Sequence, residues 1–235
     1  MAFSVSVLVA AGENALMKHT PALCVALGLG VLFTPFARAQ TNLYVGSNTP
    51  ANTLDLTNGT NAYANTYVGY TVEASNNALG VANAGTLLTN TNNLYVGYAG
   101  SGNSMTVADG GVVANRQGYI GFTNTASNNS VLVTGGGSTW TNTYALYVGY
   151  SGSSNNLVIS TGGTVAAVYG YIGFTNTSSN NSVLVTGADS LWTNRDSIYV
   201  GLLGNSNNLV ISNGGAVAAS DGGYIGANAD SFNNR

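Results

Sequence analysis

Charge is what this sequence has least of. Five Lys and Arg with eight Asp and Glu make up 6% of its 235 residues, against about a quarter in an ordinary soluble domain. A net charge of -3 leaves too few cations to neutralise phosphates, so a nucleic-acid partner is not expected. Three prolines and the lack of a Gly-X-Y period exclude collagen. Disorder is excluded by a hydrophobic share of 45%, because disordered chains are poor in apolar residues and rich in charge. What is abundant is glycine and asparagine, 32 of each, together with 14 tyrosines. Such a composition points to a β-rich, turn-rich chain.

The N-terminal segment reads as an export signal. An eleven-residue apolar run from Leu23 to Phe33 follows Lys18 and His19 and precedes Ala37-Arg38-Ala39. That order, with cleavage between Ala39 and Gln40, is the layout of a Sec-type signal peptide, and the run is too short to span a bilayer. Met17 stands directly before the basic residues and is a candidate for the true start. Cleavage would leave residues 40–235 with no Cys, His or Lys. Thiol chemistry, a His-based triad and a His/Cys metal site are thereby removed, and no cofactor is expected.

From Asn42 onward one unit repeats. A Tyr-(Val/Ile)-Gly triplet starts at Tyr44, Tyr67, Tyr95, Tyr119, Tyr147, Tyr171, Tyr199 and Tyr224, with spacings of 23, 28, 24, 28, 24, 28 and 25 residues. Two neighbouring units therefore sum to about 52. Each unit carries three short runs of strand-forming residues separated by Gly, Asn and Ser, as in Leu146–Tyr150, Leu157–Ile159 and Thr164–Ala166. Three strands in 24–28 residues fit one coil of a right-handed parallel β-helix; a propeller blade needs four strands and about 40 residues or more. The expected fold is all-β, about eight coils stacked at about 4.8 Å over residues 40–235, preceded by a signal-peptide helix over residues 1–39. The last unit stops before its second strand, which suggests a chain cut in mid-coil.

Strand alternation assigns faces. The Val or Ile of the triplet, and the residue two positions on (Tyr70, Tyr98, Phe122, Tyr150 and Phe174 among them), are expected inside. The triplet tyrosines then point outward as one column, although the opposite assignment also satisfies the pattern. The paired asparagines at the corners, with Asn129, Asn156, Asn181 and Asn208 as representatives, are expected to stack as a hydrogen-bonded ladder. Trp140 and Trp192 lie 52 residues apart, hence two coils. With Tyr95, Tyr119, Tyr147, Tyr171 and Tyr199 they are the candidate ligand-facing aromatics, a platform suited to sugars; simple packing is the preferred role.

The recurring units, such as LYVGYSGSSNNLVISTGGTV (Leu146–Val165) and YIGFTNTSSNNSVLVTGADSLWTN (Tyr171–Asn194), resemble the repeat of type V secretion (autotransporter) passengers and PEP-CTERM-associated surface proteins. The likeness covers Asn42 to Arg235. It implies a secreted β-helical rod at a bacterial outer surface, with an outer-membrane translocator or sorting machinery as partner, neither of which this chain encodes. It implies no activity.

Internal copies act as a control on catalysis. Asp109 corresponds to Thr161 and Asn213, Asp189 to Gly137, Asp196 to Tyr144, and Arg195 to Thr143. An acid that other copies replace with a turn former is a turn residue first. We therefore expect no enzyme but a structural or adhesive surface rod, meeting surface glycans or other cells. A carbohydrate-binding adhesin is the alternative, and a polysaccharide-active β-helix enzyme ranks last.

Overall fold

The computed structural model describes residues 41–235. The signal segment, its helix and the cleavage positions Ala37, Ala39 and Gln40 lie outside the described residues. These fold into twenty strands, all paired in parallel, with no helix among them. Each coil contributes up to three strands, and the coils stack into a β-solenoid.

The first face carries the triplets. It consists of Leu43–Val45, Thr66–Val68, Asn93–Val96, the second halves of Val112–Ile120 and Thr139–Val148, then Tyr169–Ile172, Ser197–Val200 and Gly222–Ile225. The second face is a separate seven-stranded sheet: Thr53–Leu56, Ala78–Ala82, Ser104–Ala108, Ser130–Thr134, Asn156–Ser160, Ser182–Thr186 and Asn208–Ser212. The third comprises Thr60–Tyr63, Leu87–Asn90, the first halves of the two long strands, Thr164–Ala167, Leu191–Asn194 and Ala216–Ala219. Because Val112–Ile120 and Thr139–Val148 run through the corner, the third and first faces form one thirteen-stranded sheet. Seven coils close, and the first-face strand Gly222–Ile225 opens an eighth.

Register is kept by like residues. Tyr44 pairs with Tyr67, Tyr67 with Tyr95, Tyr95 with Tyr119, and so on to Tyr224. The next residue of each triplet, from Val68 through Ile120 to Val200, enters one continuous apolar core with Leu79, Met105, Val131, Leu157 and Val183 from the second face. Burying such a column removes apolar surface at roughly 25 cal/mol per Å², and only stacking can do it, since a single coil encloses nothing.

The triplet glycine has two tasks. At Gly97, Gly121, Gly149 and Gly173 the backbone turns with φ of +77° to +78°, a region costly for any residue with a Cβ. A Cβ at Gly121 would also lie 2.2 Å from the Asn155 amide of the next coil. This left-handed turn ends the strand and breaks the alternation expected to run through it. Tyr70, Tyr98, Phe122, Tyr150 and Phe174 therefore do not enter the core; they lie outside it, against the triplet tyrosines.

Asparagines run up the interior next to those glycines. Asn77, Asn103, Asn129, Asn155, Asn181 and Asn207 are fully buried or nearly so. Each turns both its backbone N–H and its Nδ2 to the Oδ1 of the asparagine one coil on, at 2.8–3.2 Å, up to Asn234. Asn129 and Asn181 belong to this ladder as expected, but Asn156 and Asn208 do not. They begin second-face strands, where Asn156 pairs with Ser130 and Ser182. The ladder members are Asn155 and Asn207, because alternate coils place their Asn-Asn pair one residue out of phase.

Candidate functional site

The aromatic surface is built on the first face. Eight triplet tyrosines from Tyr44 to Tyr224 form an unbroken stack with centroids 4.9–5.2 Å apart and planes within 13° of parallel. This spacing follows directly from that of parallel strands. Beside them Tyr70, Tyr98, Phe122, Tyr150 and Phe174 form a second stack at 4.9–5.2 Å. The two rows meet edge to face, as at Tyr119 and Phe122, 5.0 Å apart and 83° from parallel. Offset stacking along the axis and edge contacts across it are the arrangements the ring quadrupole favours.

Stacking hides the ring faces. Tyr95, Tyr119 and Tyr147 are only 7–8% exposed, whereas the end rings Tyr44 and Tyr224 are 43% and 44% exposed. The tyrosines point outward as expected, yet along the column each ring face is covered by the next ring, so a sugar that needs a flat ring face finds none there. What the column presents along its side is phenol edges. Some hydroxyls are tied to the strand residue two positions back: Asn93 Nδ2 donates to Tyr95 at 2.9 Å, and Tyr119 donates to Gln117 at 3.0 Å. Burial pushes the Tyr67 and Tyr171 hydroxyls up to about 12. It raises Tyr119 and Tyr147 further, and Tyr95 too, where the Asn93 hydrogen bond opposes it.

Trp140 and Trp192 are not surface aromatics. Both are fully buried. They sit in the third face at the core position that Val113, Val165 and Val217 fill in the adjoining coils, so neither indole meets a ligand at the surface. The signal was present in the sequence: strand alternation in Thr-Trp-Thr-Asn matches that of the Thr-Val-Ala units around it.

The surface grouping that sequence reasoning missed lies at the corner between the third and first faces. Arg116, Arg195, Asp196 and Asp221, four of the ten charged residues beyond Gln40, gather there. The backbone places Tyr144, Val168, Asp196 and Asp221 in consecutive coils, the N–H of each of the last three bonding to the carbonyl one coil before. The Arg116 guanidinium lies 5.5 Å from the centre of the Tyr144 ring, and Tyr169 meets that ring edge-on at 5.6 Å. Ser197 Oγ donates toward Asp196 at 2.8 Å and lies 3.0 Å from Asp221. Asp196 raises the pKa of the Tyr169 hydroxyl, as hydrogen-bond acceptor first and as charge second. Tyr144 itself is 43% exposed.

Asp109 and Asp189 act as turn residues. Asp109, Thr161 and Asn213 share φ of 49–53°, and Asp189 has φ of 63° where Gly137 has 84°. Among the described residues, no three His, Cys, Asp or Glu side chains converge as a metal-ligand group. Comparison with family models, with curated proteins and with solved structures finds no match to this chain.

Proposed function

We propose that the chain is a non-enzymatic structural or adhesive rod, exported to a bacterial surface. One observation carries this reading: the side chains repeated in every coil are turned on the next coil. The Val/Ile column, the amide ladder and the ring stacks all contact their own copies, leaving no repeated group free for chemistry. The signal-like N-terminal layout and the resemblance of the repeat support export.

Two measurements on the full chain test it. Protein recovered from the medium of a secreting host should begin at Gln40, and a surface coated with it should retain cells without releasing reducing ends from polysaccharides. Reducing-end release abolished by Asp196→Asn would replace the rod reading with an enzymatic one.

A second reading, glycan binding, is favoured at one place. At the charged corner the exposed Tyr144 ring lies between Arg116 and Tyr169, with carboxylates that accept sugar hydroxyls in the coils above. Saturable binding to one glycan on an array, lost in Tyr144→Ala with the fold intact, would establish it; equal binding by the variant would end it.

A further inference from the structure

A second, shorter row of amides lines the inner end of the third face, and it is broken. In the lower double coil the row is complete. Trp140 Nε1 donates to Asn115 Oδ1 at 2.7 Å, and Asn115 Nδ2 donates to Asn142 Oδ1 at 2.7 Å. The Asn115 carboxamide thus joins indole to amide. Fifty-two residues on, Trp192 and Asn194 occupy the positions of Trp140 and Asn142. The equivalent of Asn115 is Ala167, which pairs with Asn194 in register, and the coil above offers Ala219.

The surroundings are otherwise alike. Gly118 lies against Trp140 and Asn142, and Gly170 lies against Trp192 and Asn194, where a Cβ would come within 2.7 Å of the indole and 2.8 Å of the amide oxygen. Yet Trp192 Nε1 and both polar atoms of Asn194 are buried without a partner among protein atoms, although Asn194 is only 3% exposed and Trp192 fully buried. Buried polar groups without partners cost more than a hydrogen bond gains. The pocket of about 90 Å³ beside Ala167 is lined by Thr141, Asn142, Thr143, Ala166, Val168 and Arg195 and not by Trp192 or Asn194; the room at the break is what Ala167 leaves where Asn115 carries its carboxamide. A water occupies about 30 Å³ and needs two to four polar partners.

We infer that the break at Ala167 is a binding site for water, with one molecule accepting from Trp192 Nε1 and donating to Asn194 Oδ1. That molecule does in the upper double coil what the Asn115 carboxamide does in the lower. The partners are neutral and comprise two donor groups and one acceptor, which suits water and gives an ion no counter-charge inside. The internal copy shows what a covalent replacement looks like: an asparagine at position 167.

The two tryptophans give two indole N–H signals, assigned by Trp140→Phe and Trp192→Phe. In the ¹⁵N-labelled full chain, the Trp192 indole proton should show a magnetisation-transfer peak to a long-lived water and the Trp140 proton none. Ala167→Asn should remove that peak and raise Tm by about 2–4 °C. Equal behaviour of the two indoles in the wild-type chain would overturn the inference. So would a crystal structure with Asn194 Oδ1 within about 3.2 Å of Trp192 Nε1, because the amide would then satisfy the indole directly. The wild-type comparison stands even if the variant misfolds.

Discussion

The amide ladder inside the stack and the tyrosine column outside it both repeat once per coil, but they differ in what they tolerate. From Asn77 to Asn207 the ladder has no substitution, and each amide is held between its neighbours and a glycine of the coil before. The second ring row ends at Phe174, where Leu202 and Ala227 take over. A missing ring forfeits contact area. A missing amide strands two donors in a dry interior, which is the more expensive loss.

That comparison can be broken first with alkali. Phenols are neutral when protonated, so a folded pKa above the ordinary value of 10.0 means that the folded state holds its protons more tightly than the unfolded chain. Stability is therefore full below about pH 10 and is lost as the pH rises through about 12, where Tyr67 and Tyr171 ionise within the stack. Tyrosinate absorbance and loss of β-sheet circular dichroism should rise together in one step; full ionisation of the column with the fold retained would show that the outer rings contribute little. Next, Asn155→Ala should cost about 2–4 kcal/mol in denaturant unfolding, since the Asn129 N–H and Nδ2 both lose their acceptor. Tyr147→Ala should cost about 1–3 kcal/mol, for it removes two stacked and two edge contacts. Smallest is Asn156→Ala, expected within about 0.5 kcal/mol. An equal cost at Asn155 and Asn156 would mean that the ladder runs through neither as described.

Much of the fold is legible in the sequence. The 24- and 28-residue spacing of the triplets carries the solenoid, the three-strand coil and the Val/Ile core column. Three features were not legible, each for a physical reason. Alternation carried through the triplet glycine puts Tyr70 and Phe122 inside, but the positive φ of that glycine resets the face and leaves them outside. The Asn-Asn pairs look equivalent in both coil types, yet turns of different length shift them by one residue, moving the ladder from Asn156 to Asn155. The charged corner could not be read because Arg116, Tyr144, Asp196 and Asp221 are far apart in sequence and share no type. Only stacking brings them into one line.

The two coil types also bear on how such a chain changes length. Because the unit that returns to itself is a pair of coils, an in-frame duplication of about 52 residues would restore every register at both of its junctions, while a duplication of one coil would set two coils of the same type against each other. Genetic recombination between the near-identical segments Gly118–Asn142 and Gly170–Asn194 would add or remove such pairs. Each event would lengthen or shorten the rod by about 10 Å.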